Sequence, residues 1–266
     1  MSTYYSDPEV SRAEAEEDLA DLRHHIENIR VTFPKAGYRM LHQYLKRDKI
    51  KISEHKLRKV MKQFKLFLKK KKKRFVRTTN SEHGFGVYPN LVKELKIKKI
   101  NQVWASDITY IRIANGFVYL AVVIDLYSRK VVGWEISKKI DGELVLGATK
   151  MAFDKRDQPK GVIHHSDRGV QYLCDKHVEF LKQNEFKISC AAKGNPYENA
   201  FAESFMKTLK NEQVDLFKYA TIIDVLENVP SFLEEVYNKK RLHSSLNYLT
   251  PEEFEVKCIN KKRTRL

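Results

Sequence analysis

The sequence predicts an α/β protein, with a mixed five-stranded sheet flanked by helices and a small all-helical module in front of it. Three observations predict this. Apolar residues recur at helical spacing from Ser11 to Phe64. After Ile100 the pattern turns strand-like, with β-branched and aromatic runs on either side of Asn115-Gly116. From Gly142 onward, helical and strand patterns alternate.

The elements follow in order. Ser11 to Arg30 reads as a charged helix whose sparse apolar positions are Ala13, Leu19, Leu22 and Ile26. Phe33-Pro34-Lys35-Ala36-Gly37 breaks it. A second helical pattern carries Met40, Leu41, Tyr44 and Leu45, and a third carries Leu57, Val60, Met61 and Phe64, with Ser53 placed as its N-cap. The connection between them is short, and Lys56, Arg58, Lys59 and Lys62 project from the third helix. The pair is helix-turn-helix-like and suited to DNA, although any small helical hairpin shares the pattern. Residues 1–68 form this module. Residues 69–99, opening with the cations Lys69, Lys70, Lys71, Lys72, Lys73 and Arg74, read as a basic and polar linker.

The larger domain, 100–255, opens with the strand pattern VWASDITYIRI. Asn115-Gly116, a strong short hairpin signal, leads into FVYLAVVID, and a second turn at Leu126–Lys130 leads into VVGWEIS. A helix from Gly142 to Lys155, capped by Asp141, precedes the strand GVIHH. A helix over Asp175–Asn184, the strand KISCA and a closing helix from Tyr197 to Lys210 complete the unit. A three-stranded meander followed by alternating helices and strands is the order of a ribonuclease-H-like fold, though a generic α/β domain shares much of it. Pro230 interrupts the helical pattern before Tyr237, so a kink or break is expected there. Residues 256–266 form a basic tail.

Composition narrows the function. The formal charge is +16, distributed unevenly. Residues 1–30 hold three Arg against eight acids, Lys46–Arg77 holds sixteen cations against two acids, and Thr78–Glu255 balances 24 against 24. So dense a basic block suits a polyanion, nucleic acid first; a localisation signal or a solvated spacer is the other reading. No run approaches the roughly 18 apolar residues of a membrane span, and no secretory signal opens the chain. Cys174, Cys190 and Cys258 are scattered, which argues against a disulfide framework and fits a reducing cytoplasm.

Three acids stand where chemistry is expected. Asp107 interrupts a buried-looking strand, a costly position unless the charge is paired or metal-bound. Asp167 directly follows the fourth strand, at the end where open α/β sheets place ligands. Glu203 lies on the closing helix beside the apolar stripe Ala202, Phe205, Met206 and Leu209, on a face shared with Lys207 and Lys210. Hard oxygen donors from three elements suit Mg²⁺ or Mn²⁺. Singly, each acid has another reading: Asp107 capping a turn, Asp167 pairing with Arg168, Glu203 bridging to Lys207.

The three acids lie in the order Asp, Asp, Glu, with 35 residues between the last two and Lys210 seven beyond Glu203. With WASDITYI, HHSDRGVQY, KGNPYENAFAESFMKTLKNE and YNKKRLHSSLNYLTPEEF, this arrangement resembles bacterial insertion-sequence transposases of the OrfB type, within the retroviral-integrase superfamily. AGYRMLHQYL resembles that family's small helical module. The resemblance covers roughly four-fifths of the chain, and several motifs in one order make it specific.

It implies a DNA transposase or integrase that cleaves the ends of an element and joins the freed 3′-OH to target DNA. By position, Asp107, Asp167 and Glu203 would be the catalytic acids holding Mg²⁺ or Mn²⁺, two ions in all. Lys207 and Lys210 would contact DNA phosphate. Gly194 and Pro196 resemble the loop before the catalytic helix, and Asn195 and Asn199 would hydrogen-bond the metal site or DNA. A helix after such a loop can move, so Glu203 can stand off from the aspartates without metal and DNA. Tyr237, Asn238, Arg241 and His243 are read as mainly structural, His243 as a packing residue. The implied partners are duplex DNA at element ends and target, further copies of the chain on DNA, and an upstream-frame transposase subunit. No membrane partner is implied, and the setting is the bacterial cytoplasm at the nucleoid. The sequence departs from the retroviral relatives in having no His-and-Cys zinc module before the core. It has no sustained heptad repeat either. Two alternatives stay open: a ribonuclease-H-like nuclease without strand transfer, and a catalytically inactive DNA-binding remnant.

Overall fold

A computed structural model describes residues 8–68, 88–191 and 200–263. The cationic run Lys69–Arg74, the loop with Gly194, Asn195, Pro196 and Asn199, and the last three residues lie outside the described residues. Among the described residues no helix is long and apolar enough to cross a membrane. The chain divides into two compact units, the first containing residues 8–68 and the second residues 88–263.

The first unit is three helices: α1 (Pro8–Thr32), α2 (Tyr38–Arg47) and α3 (Glu54–Gln63). Leu22 and Ile26 of α1, Leu41, Tyr44 and Leu45 of α2, and Leu57, Val60 and Met61 of α3 are buried. Phe33, in the break after α1, stacks on Tyr44 at 4.5 Å. The Ser53 hydroxyl accepts from the Lys56 amide and caps α3. Lys56, Arg58, Lys59 and Lys62 are all exposed, because helical spacing directs them away from the buried stripe.

The second unit is built on a five-stranded sheet: β1 (Val103–Ile113), β2 (Gly116–Asp125), β3 (Val131–Ser137), β4 (Ile163–Ser166) and β5 (Lys187–Cys190). Its order is β3-β2-β1-β4-β5. The first three strands pair antiparallel, and β4 and β5 run parallel to β1. Helices α4 (Gly142–Lys155) and α5 (Asp175–Gln183) cover one face, around Trp104, Ala121, Val123 and Val132. Helix α6 (Ala200–Leu209) and helix α7 (Ile222–Ser231) cover the other, around Ile111, Leu120, Val122 and Ile124. Helix α8 (Pro251–Arg263) follows.

Three details differ from expectation. The hairpin turn proper is Ala114-Asn115, since Ile113 pairs with Gly116. Asn115-Gly116 marks the turn because Gly116, at φ 108°, takes a conformation that only glycine adopts readily. The closing helix does not stop at Lys210 but widens into a π-helical turn over Lys210–Val214. Pro230 does not break its helix. Helix α7 runs past it to Ser231 and widens into a second π-helical segment, Phe232–Asn238. The missing proline N–H is accommodated by a change of hydrogen-bond spacing rather than by a chain break.

Candidate active site

Strand β4 pairs with β1 only at Val103, Trp104 and Ala105. Beyond Ala105 this pairing ends, and the next bridge on that edge of β1 is the isolated Ile113–Tyr219 contact. Asp107 stands just past the end of the pairing, and Asp167 directly follows the last residue of β4. Alternation along β1 puts Asp107 on the face of Ala105 and Ile111, the side that α6 covers. Ala202, fully buried, packs there against Val103 and Ala105. Glu203 is the next residue, so the helix packs by Ala202 and presents Glu203 at an exposed position beside it.

Electrostatics tie the acids together. Burial pushes the Asp107 carboxyl up to about 7, the charge of Asp167 adds to this, and Glu203 adds a further increment. The Ile108 amide, donating to Asp107 Oδ1 at 2.9 Å, and the charge of Lys210 act the other way. Asp167 Oδ1 accepts from the Gly169 amide at 3.0 Å, which fixes the turn after β4. Glu203 makes no ion pair among the described residues. Asp167, Glu203 and Lys210 are therefore each in electrostatic reach of Asp107. Among the described residues, however, no group of three His, Cys, Asp or Glu closes as tightly as metal ligands do. The donors themselves are all carboxylates, and their crowding raises the proton affinity of Asp107. A hard divalent cation would relieve that crowding, so the donor set fits Mg²⁺ or Mn²⁺.

Two integrase core domain models match the chain, over residues 98–196 and 184–251. The insertion element IS600 31 kDa protein of Shigella sonnei is 35% identical over 222 residues, 83% of this chain and 81% of that protein. The chain belongs to the insertion-sequence transposases of the retroviral-integrase superfamily. The transposase for IS904 of Lactococcus lactis is 40% identical over 168 residues, covering 63% of this chain and 66% of its own. The match thus spans slightly under two thirds of that relative's length. A chain of the simian T-cell lymphotropic virus intasome superposes with a TM-score of 0.50 at 14% identity, covering 86% of this chain and 74% of its own, a likeness of fold. Strand order, helix placement and family agree on a ribonuclease-H-like core for this chain.

The structure adds residues to the site that sequence reasoning passed over. Arg129, in the turn between β2 and β3, holds its guanidinium 3.8 Å from the ring centre of Phe201, two residues before Glu203. Tyr172 is buried in the cluster around Trp104, within reach of the charges of the two aspartates. Burial first, then the charges of Asp107 and Asp167, push its phenol well above the usual range. Asp125, fully buried, is a further acid near the sheet, but its oxygens accept from the amides of Asn101, Tyr127 and Ser128 at 2.6, 2.9 and 3.1 Å. It builds the β2–β3 turn. Local composition signals none of these roles, except that an Asp followed by Ser two or three residues later is a common turn signature.

The C-terminal motif acts on the fold. The Asn238 amide bonds both the N–H and the C=O of Val131, each at 2.9 Å, and so ties the motif to the start of β3. Arg241 clamps Glu212 in the π-helical turn after α6 with two 2.8 Å bonds. Tyr237 meets Phe205 of α6 edge to face at 4.9 Å. His243 lies against Tyr237, and burial, with the charges of Arg241 and Arg129, pushes it down to about 3.

Proposed function

We propose that this chain catalyses metal-dependent cleavage at the DNA ends of an insertion sequence and transfer of the freed 3′-OH into target DNA. The observation that supports this reading is the placement of Asp107 just past the end of the β1–β4 pairing and of Asp167 directly after β4, with the charges of Asp167 and Glu203 both reaching Asp107. In this reading the three carboxylates hold two Mg²⁺ or Mn²⁺ ions. Bound there, such a pair supplies activation of an attacking oxygen and stabilisation of the leaving one.

The remaining work falls to the chain's own residues. Lys210 and Lys207 grip phosphate and set the strand across the acids. Helix α6, held by Ala202 and by Arg129 on Phe201, sets the approach of Glu203. The helix-turn-helix-like module, through Lys56, Arg58, Lys59 and Lys62, binds duplex DNA. Lys69–Arg74 contributes sequence-independent phosphate affinity, and Asn195 and Asn199 would hydrogen-bond the metal site or the DNA. Assembly on paired ends requires further copies of the chain, and an upstream-frame subunit is a fitting partner. The reaction belongs in the bacterial cytoplasm, at the nucleoid.

The test is incubation of the purified chain with duplexes carrying candidate element ends and Mn²⁺, scored for 3′ nicking and for joined products. Nicking followed by joining is the expected result. Nicking without joining would replace the transfer reading by a nuclease on this fold. No nicking with any end, despite DNA binding, would leave an inactive remnant.

A further inference from the structure

Beyond Ala105, where the β1–β4 pairing ends, the β1–β2 hairpin carries aromatic and cationic side chains together. Tyr110 and Phe117 are exposed, at 37% and 47%, and meet edge to face at 5.4 Å. Strand register puts Tyr110 opposite Tyr119 and Arg112 opposite Phe117, so all four lie on one face of the hairpin. Arg112 is exposed. This is the face that α4 and α5 cover around Trp104, Ala121 and Val123, with Tyr119 packed at the edge of that cluster while Tyr110 and Phe117 stay exposed. Lys210 comes from the other side, off the end of α6. Its ammonium stands 4.6 Å from the centre of the Tyr110 ring, and its charge still reaches Asp107.

Single exposed aromatics are ordinary on protein surfaces. These two differ in what surrounds them. The cation Lys210, whose charge reaches Asp107, is held over one ring, a second cation, Arg112, stands opposite Phe117 in the strand register, and Asp107 is three residues from Tyr110 on the other face of β1. Aromatic faces interleaved with cations are how proteins hold unpaired nucleotides, since every base has a π face and every phosphate a charge. A base inside a duplex has both faces covered by its neighbours and gains nothing from such a ring.

We infer that Tyr110 and Phe117 form a stacking platform for an unpaired nucleobase of the DNA strand end lying at the acids, with Lys210 and Arg112 on its phosphates. The inference rests on the transposase reading of the acids and adds to it a preference for a frayed end. When a base takes the face of Tyr110, the Lys210 ammonium moves from the ring to the adjoining phosphate.

Binding of the full chain to a short oligothymidylate and to a duplex of equal length, without divalent metal, tests this. Tyr110→Ala and Phe117→Ala should each weaken single-strand binding about tenfold, the scale of losing one stacked base. Duplex binding and the salt dependence of both should stay as in wild type, because no charge is removed. Tyr110→Phe should bind as wild type. Equal losses on both DNAs, or no loss on the single strand, would overturn the platform. A second measurement needs no variant: an oligothymidylate with one 5-iodouracil, irradiated on the wild-type chain, should crosslink to the peptide bearing Tyr110 or Phe117. Crosslinks confined to other peptides would also overturn it. Wild-type nicking of end-bearing duplexes with Mn²⁺ is scored in parallel. Its absence alongside selective single-strand losses would sink the transposase reading and leave the platform standing.

Discussion

Glu203 is exposed on α6, makes no ion pair among the described residues, and adds its charge to the field at Asp107. Glu203→Gln keeps the size and hydrogen bonding of the side chain and removes the charge that a cation requires. Nicking and joining should fall at least a hundredfold while DNA binding stays within about twofold of wild type, since catalytic loss of two or more decades is the ordinary scale for such groups. Turnover close to wild type would remove Glu203 from the site. Arg129 acts one step back, through Phe201. Arg129→Ala should raise the Mn²⁺ concentration for half-maximal nicking several-fold, with Arg129→Lys recovering part of it, because a cation–π contact is worth roughly 0.5–2 kcal/mol. An unchanged metal requirement would reduce the contact to surface packing. The buried histidines govern acid stability. Burial holds His243 down to about 3, and it lowers His164 and His177 as well. Their folded forms stay neutral where the unfolded chain takes protons, near pH 6.5. The stability they contribute is fully present above that pH and is lost as pH falls from 6.5 toward 3. The thermal midpoint should drop across that interval, and His243→Gln should flatten the drop by about one proton's linkage.

At the scale of elements, α6 is the part on which the site turns. It packs on β1 through Ala202 and ends in a π-helical turn that carries Lys210 to Tyr110. That turn is held from a distance by Arg241 on Glu212, and the start of β3 is held by Asn238. Asn238→Leu would leave the N–H and C=O of Val131 without partners in a buried place. It should cost about 2–4 kcal/mol, judged from roughly 1–3 for each such group, and show as a lowered denaturation midpoint. Strand β3 also touches α4 closely at Gly133, where a Cβ would run into the Ala148 carbonyl and the Ala152 amide. Gly133→Ala should therefore destabilise the core by about 1–3 kcal/mol, the usual cost of overpacking, with no loss of DNA affinity in the fraction that folds. The pattern of these elements was legible in the sequence because each announces itself by its own period. The clamps were not, since Asn238 and Val131 are 107 positions apart and Arg241 and Glu212 are 29 apart.

Over the whole molecule, charge divides the labour. Residues 78–255 balance to zero, whereas Lys46–Arg77 carries sixteen cations against two acids. Most nonspecific affinity should come from the latter. Replacing Lys69, Lys70, Lys71, Lys72, Lys73 and Arg74 by Ser should weaken binding across all sequences. It should also flatten the slope of log affinity against log salt by a few units, at about 0.9 for each phosphate that is no longer neutralised. A salt titration of duplex binding reads this directly, and an unchanged slope would make the run a solvated spacer.

The amino-acid sequence by itself determined the strand and helix order, the buried stripes of the three N-terminal helices and the caps at Ser53 and Asp141. Each of these depends on residues within a turn or a strand of one another, where sterics and hydrophobic period leave little choice. Only the tertiary structure decided the rest. It placed Asp107 just past the end of the β1–β4 pairing, gave Asp125 to a turn rather than to the site, carried α7 past Pro230, and set Arg129 on Phe201 and Lys210 on Tyr110. Those outcomes depend on which faces pack together and where parallel strands cease to pair. Pairings across tens of residues are selected by the packing of the whole sheet and its helices, and no local pattern encodes them.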